Sequence, residues 1–249
     1  MSGHNKWSTI KRKKGALDAK RSKIFSRIIK EITVAVKEGG ADPDANPRLR
    51  LGIANAKGAS MPKDNITRAI NKGADKDAAH FSETTYEGYV GSVAFFIECT
   101  TDNTQRTVAN VRSIFNKFGG SLGTNGSLSH IFERQGIFTI PSANISDIDT
   151  FEMEVIDAGA EEIEIDTENE IVTVSSRLED FGSLMKKLEA LNIEPESANL
   201  QRIPLIYAQI DAESAKKLVR VIDLFEEDDD VQNVYHNIEM TEEIMEAME

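Results

Sequence analysis

Cysteine is nearly absent from this chain. Cys99 stands alone among 249 residues, which excludes an internal disulfide and fits a reducing compartment. Tryptophan also occurs once, at Trp7, and the four histidines (His4, His80, His130 and His236) show neither H-x₃-H nor HExxH spacing, so zinc chemistry has no footing. No apolar run reaches the length of a bilayer span. The start has no apolar segment of a secretory signal, and it is not Arg- and Ser-rich like a transit peptide. The expectation is a cytoplasmic protein without a membrane anchor. No phosphate-binding loop is present either. GGSLGTNGSLS is glycine-rich, but no GK[ST] follows and it leads toward a strand, so it reads as a turn. Cys99 sits in an apolar stretch and reads as a core residue rather than a nucleophile. With no catalytic constellation and no cofactor fingerprint, the chain reads as a non-enzyme without a cofactor; a site in a cleft between α/β domains is the minor alternative.

What the chain does have is a division of charge. Its formal net charge is −13. Residues 1–73 nevertheless hold 17 Lys and Arg against 6 Asp and Glu, and residues 74–249 hold 12 against 36. A basic module of net +11 is therefore joined to an acidic body of net −24, and such asymmetry bears on partners. The basic end is densest in MSGHNKWSTIKRKKGALDAKRSKIF, with eight cations between Lys6 and Lys23 and one Asp. A targeting peptide, a solvated helix face and a grip on a polyanion are the three explanations for it. From Lys20 to Lys37, Ile24, Phe25, Ile28, Ile29, Ile32 and Val36 recur at helical spacing. On a helical wheel, Lys20, Lys23, Arg27 and Lys30 lie opposite that stripe, broken mainly by Glu31. An ordinary solvated face mixes signs, whereas this one is almost uniformly positive and continues into a Lys/Arg tail. Phosphate neutralisation requires that pattern, and the ring of Trp7 adds a surface on which an unpaired base can stack. The candidate nucleic-acid-binding residues are therefore Lys6, Trp7, Lys11, Arg12, Lys13, Lys14, Lys20, Arg21, Lys23, Arg27 and Lys30. The pattern does not choose DNA over RNA.

The periodicities predict four segments. Residues 1–75 form a basic tail and a three-helix bundle, with Gly39-Gly40 stopping the first helix and Asn46-Pro47 opening the second as N-cap and first turn. A polar linker follows. Val93–Thr101 reads as a strand, the stretch carrying Val108, Val111, Ile114, Phe115 and Phe118 as a helix that Asp102-Asn103 can cap and Gly119-Gly120 stops, and 127–134 as a strand. Within 135–203 the order β-α-β-β-α-β predicts a ferredoxin-like domain. A strand at 205–210, a helix at 212–225 and a strand at 231–236 complete a second set of that kind with the 93–134 unit. The expectation is an α+β fold: an N-terminal helical bundle, then two ferredoxin-like α/β domains, 135–203 inserted into one built from 80–134 plus 204–238, with an acidic tail at 239–249. Thr101-Asp102-Asn103 with Arg106 marks a helix start that can hold an anion, although a plain N-cap is the simpler reading. Acidic clusters at 161–166 and 226–230 read as solvated strand edges and helix ends.

GHNKWSTIKRKK, KRSKIFSRIIKEI, GGADPDANPRLR, AKGASMPKDNITRAINKG, YEGY and TDNTQRTVANVRSIFNKFGGSLGTNGS, in that order, resemble the YebC family. That resemblance implies an N-terminal helical domain followed by two α/β domains. Members of the family are described as DNA-binding transcriptional regulators, and the family includes a mitochondrial translational activator. Two departures stand out: Val90-Gly91-Ser92 replaces a Gly-Pro-Gly-Gly type of turn, and Thr104-Gln105 stands where an Arg is common. The expected function is a non-enzymatic, DNA-binding regulator of transcription. The rival is a ribosome-associated translation factor binding rRNA or tRNA and assisting synthesis through proline-rich stretches. No helix-turn-helix with defined base-reading positions is visible, and a lysine-rich helical module suits the shape and phosphate contacts of RNA. A protein partner is expected for the acidic body. Oligomeric state is not legible.

Overall fold

A computed structural model describes residues 17–75 and 80–248, with side chains from residue 21 onward. The chain divides into two compact units: Ala79–Glu133 with Arg202–Glu249, and Arg21–Ala78 with Arg134–Gln201.

The second unit contains the helical module. Helices α1 (Leu17–Gly39), α2 (Pro47–Gly58) and α3 (Lys63–Ala74) enclose Ile32, Ala35, Val36, Leu49, Ala56, Met61, Ile66 and Ala69. One side chain joins the first two helices. The Asn46 amide donates to Ala35 O (2.7 Å) and Gly40 O (2.8 Å) at the end of α1, while its Oδ1 accepts Leu49 N (3.0 Å) as the cap of α2. Its amide thus satisfies carbonyls at the end of α1 and its oxygen an N–H at the start of α2. Gly40, at φ +86°, supplies the left-handed residue that ends α1.

The inserted part of this unit is a ferredoxin-like sheet. Its elements are β4 (Phe132–Pro141), α5 (Ile148–Asp157), β5 (Ala160–Asp166), β6 (Ile171–Arg177), α6 (Phe181–Ala190) and β7 (Ser197–Pro204), with strand order β5-β6-β4-β7. Phe138, Ile140, Val172, Val174 and Ala198 face Phe151 and Val155 of α5 and Leu184 and Leu188 of α6. Asn55 of α2 closes the β7 edge: its Oδ1 accepts Ala198 N (2.9 Å) and its Nδ2 donates to Ala198 O (3.0 Å). One amide side chain makes the two bonds that a neighbouring strand would make. Gly58 permits the approach, because a Cβ there would lie 1.9 Å from Glu196 O.

The first unit contains β1 (Ser82–Val90), β2 (Val93–Thr101), α4 (Thr104–Lys117), β3 (Ser121–Leu122), α7 (Ala212–Glu227), β8 (Val231–His236) and α8 (Glu242–Met248), with strand order β3-β1-β2-β8. Phe95, Phe115 and Phe225 meet in the core beneath α4 and α7, with Phe115 and Phe225 centroids 5.0 Å apart. Cys99 lies buried in the same core.

The mixed helix-and-sheet class, the ferredoxin-like order of the inserted sheet and the strands at 93–101 and 231–236 are as expected, but the other strands of the first unit are not. Residues 82–90, read as linker, form β1 and pair with β2 along their whole length. Where a strand is expected at 127–134, turns run from residue 125 to 131, and β4 begins only at Phe132. The strand expected at 205–210 is reduced to one bridge, Ala208 to Ile238. A single group explains the first two differences. Glu87, 4% exposed, takes the amides of Gly126 (2.7 Å) and Leu128 (2.6 Å) and the hydroxyl of Ser127 (3.2 Å). The polar strand β1 carries the carboxylate that folds the glycine-rich segment into a loop.

Candidate nucleic-acid interface

Helix α1 has 23 residues and α2 and α3 have 12 each. At 1.5 Å per residue, α1 is about 34 Å long against about 18 Å for its partners. Burial is concentrated in its second half: Ile24 is 46% exposed, whereas Ile32 is fully buried. The wheel that put Ile24 in the packed stripe is right in phase and wrong in depth. Lys23, Arg27 and Lys30 are half-buried and Arg21 is exposed, with its guanidinium 5.8 Å from the Phe25 ring centre. Lysine and arginine stems can lie along apolar surface while their heads reach water, which accommodates this depth. Lys20 lies within α1, with its side chain outside the described ones. Lys6, Trp7, Lys11, Arg12, Lys13 and Lys14 lie outside the described residues.

Glu31, the acid interrupting the cationic face, does not stand alone. Arg48 of α2 donates Nε to Glu31 (2.8 Å) and Nη1 to Glu38 (2.7 Å). Both acids of the second half of α1 are thus answered inside the bundle.

Arg50 on α2 and Lys63, Arg68 and Lys72 on or beside α3 are also exposed. They extend the cationic surface of the module beyond the residues singled out from sequence. On α3 they lie away from buried Ile66, Ala69 and Gly73, a pattern that a helical wheel makes legible.

The plain N-cap reading of the Thr101–Arg106 junction holds, and the anion-holding alternative falls. Asn103 caps α4 through Arg106 N (3.0 Å). Arg106 itself donates Nη2 to both oxygens of Asp230 (2.9 and 2.8 Å) and to Asp102 (2.8 Å), and Thr107 donates its hydroxyl to Asp230 (2.9 Å). Burial pushes the Asp230 carboxyl up, but the bonds from Arg106 and Thr107 outweigh it and hold the group below the usual carboxylate range. The acidic run at 226–230 is accordingly not all solvated: Asp230 is 5% exposed.

Among the described residues, no group of three or more His, Cys, Asp or Glu is placed to hold a metal ion. No described helix is long and apolar enough to cross a membrane.

These features define an α+β protein with a cationic helical module and two separately packed sheets. The TACO1/YebC protein N-terminal domain matches residues 5–76, and the TACO1/YebC second and third domain matches residues 81–238. A probable transcriptional regulatory protein of Amoebophilus asiaticus is 53% identical over 239 residues, covering 96% of this chain and 98% of the relative. One from Chlorobaculum parvum is 47% identical over 251 aligned positions, covering 100% and 99%. The crystal structure of a conserved hypothetical protein from Aquifex aeolicus superposes with a TM-score of 0.81 at 40% identity, covering 92% of this chain and 94% of that one. The chain belongs to the TACO1/YebC family.

Proposed function

We propose that this protein regulates gene expression by binding nucleic acid through its basic N-terminal module, with DNA as the ligand and transcription as the regulated step, and without catalysis. The observation that carries the reading is the net +11 of residues 1–73 in a chain of −13. Exposed Arg21, Arg50, Arg68 and Lys72 support it, as does the silencing of Glu31 and Glu38 by Arg48. So do the names of its relatives, probable transcriptional regulatory proteins.

Counterion release sets the physical signature: affinity falls as salt rises, with a slope near −0.9 per phosphate neutralised on duplex DNA. Charge reversal of Lys20, Lys23, Arg27 and Lys30 together is expected to abolish binding and flatten that slope. Unchanged affinity would place the grip elsewhere. In cells, crosslinking followed by sequencing of the bound nucleic acid separates the ligands. Promoter DNA supports regulation of transcription; rRNA or tRNA without promoter DNA replaces it with a ribosomal role.

A further inference from the structure

Natural sheets rarely leave a long edge uncovered, because its unpaired N–H and C=O groups template pairing with another chain. In the inserted sheet the two edges are treated differently. The β7 edge is closed by Asn55 through Ala198. At the other end of the order β5-β6-β4-β7, no described strand pairs with the outer side of β5.

The side chains along that open edge form two bands. Ile163 packs into the core beneath α5, so Ile165, two residues on, shares its face of the sheet; Glu162 and Glu164 point to the other face, opposite Ser175 and Thr173. Helix α5 packs over β5. On α5, Glu154 bonds Lys187 of α6, which fixes the flank turned toward α6. Ile156 stands about 160° round the helix from Glu154, on the flank turned toward the edge. Ile156 is 57% exposed and Ile165 45%. Above the β5 edge, then, is an apolar band; below it is an acidic one. Residues 134–201 carry 16 Asp and Glu against 4 Lys and Arg.

We infer that the β5 edge is a docking site for an extended basic segment of a protein partner, added as a fifth strand. Its alternate residues are cationic, facing Glu162 and Glu164, and apolar, facing Ile165 and Ile156. Like charges directly opposite each other destabilise a strand pair, so the acidic band excludes a second copy of the same edge. A cationic strand meets no such penalty. Backbone bonds supply the affinity and the two bands the register, as in other cases of strand addition.

The test uses the full chain and a labelled peptide, acetyl-TKVKVKVT-amide, titrated by fluorescence anisotropy at 50 and 300 mM salt. Binding is expected to weaken about ten-fold in Glu162→Lys and in Ile156→Asp. Both positions are exposed, and unchanged circular dichroism and thermal midpoint confirm that the fold survives. A peptide with Pro at its fourth position, which cannot donate there, is expected not to bind, and alternate β5 amides should gain at least ten-fold protection from hydrogen exchange with the parent peptide. Equal binding by both variants overturns the proposal, as does binding of the Pro peptide or protection elsewhere in the chain. Tighter binding of a peptide of residues 1–16 would assign the edge to the chain's own basic end instead. Self-association of the unliganded chain through β5 would assign it to a second copy. Nucleic-acid binding is expected to be unchanged in Ile156→Asp, so this test and that of the basic module fail independently.

Discussion

Glu87 offers the sharpest test of how this fold is held. Its carboxylate is buried and accepts two backbone amides and one hydroxyl from residues 126–128. Its own carbonyl accepts Gly123 N at 2.7 Å, so the loop is anchored at both ends. Replacing Glu87 by Ala removes the acceptor and leaves the Leu128 amide, in a fully buried residue, with no partner. A buried donor left unmet costs about 1–3 kcal/mol. The Gly126 amide belongs to an exposed residue and water can reach it, so it adds a fraction of that. The expected loss is about 2–4 kcal/mol for Glu87→Ala. For Glu87→Gln, which keeps one carbonyl oxygen but turns an amide toward a donor, it is about 1–2 kcal/mol. The assay is chemical denaturation of both variants, paired with native-state hydrogen exchange at Gly126 and Leu128. Exchange there should quicken more than in the Phe95–Phe115 core if the loop opens locally. A Glu87→Ala protein within 0.5 kcal/mol of the parent, with protected Leu128, would refute the claim that this carboxylate organises the loop.

Further expectations follow from other contacts. Gly58→Ala forces a Cβ against Glu196 O, a backbone atom that cannot swing away, and should cost about 1–3 kcal/mol by overpacking in thermal unfolding. Phe115→Ala, at a fully buried ring between Phe95 and Phe225, should cost about 3–5 kcal/mol in the same assay. The folded pKa of Asp230 lies below its unfolded value. Its contribution is therefore present above the unfolded value, near 3.9, and lost as pH falls through the folded one. Denaturation across pH 6 to 2 should show a shallower acid limb in Asp230→Asn than in the parent; identical limbs would remove Asp230 from the acid response.

Where sequence and structure agree, the reason is local. Asn46-Pro47, Gly40 and Asn103 are caps whose chemistry acts within a few residues, and the inserted sheet follows its alternation because helices cover one of its faces. Where they part, the cause is a distant partner. Ser-Glu-Thr-Thr-Tyr-Glu-Gly-Tyr looks polar because its buried glutamate serves a loop forty residues on. Leu205, Ile206 and Tyr207 look like a strand and are exposed; Pro204 precedes them, and the Asn237 side-chain amide donates to Ile206 O. The N-cap at Asn103 was legible, but the ion pair that occupies Arg106 was not, because its partner, Asp230, is 124 residues away. The positive charge of α1 was legible, but the half-burial of Lys23, Arg27 and Lys30 was not, because it is set by packing and not by sequence spacing.

The placement of one sheet within the connection of another has a consequence for the order of synthesis. In the first unit β2 pairs with β8, and Phe95 lies opposite His236; closing a loop of about 140 residues costs about 4 kcal/mol of chain entropy before that contact forms. The inserted sheet, by contrast, is one uninterrupted stretch from Phe132 to Pro204, available while the chain is still being made. Nascent chains from which residues 1–204 have emerged should carry a finished inner sheet and an outer one held open, missing its last strand until the C-terminus is released.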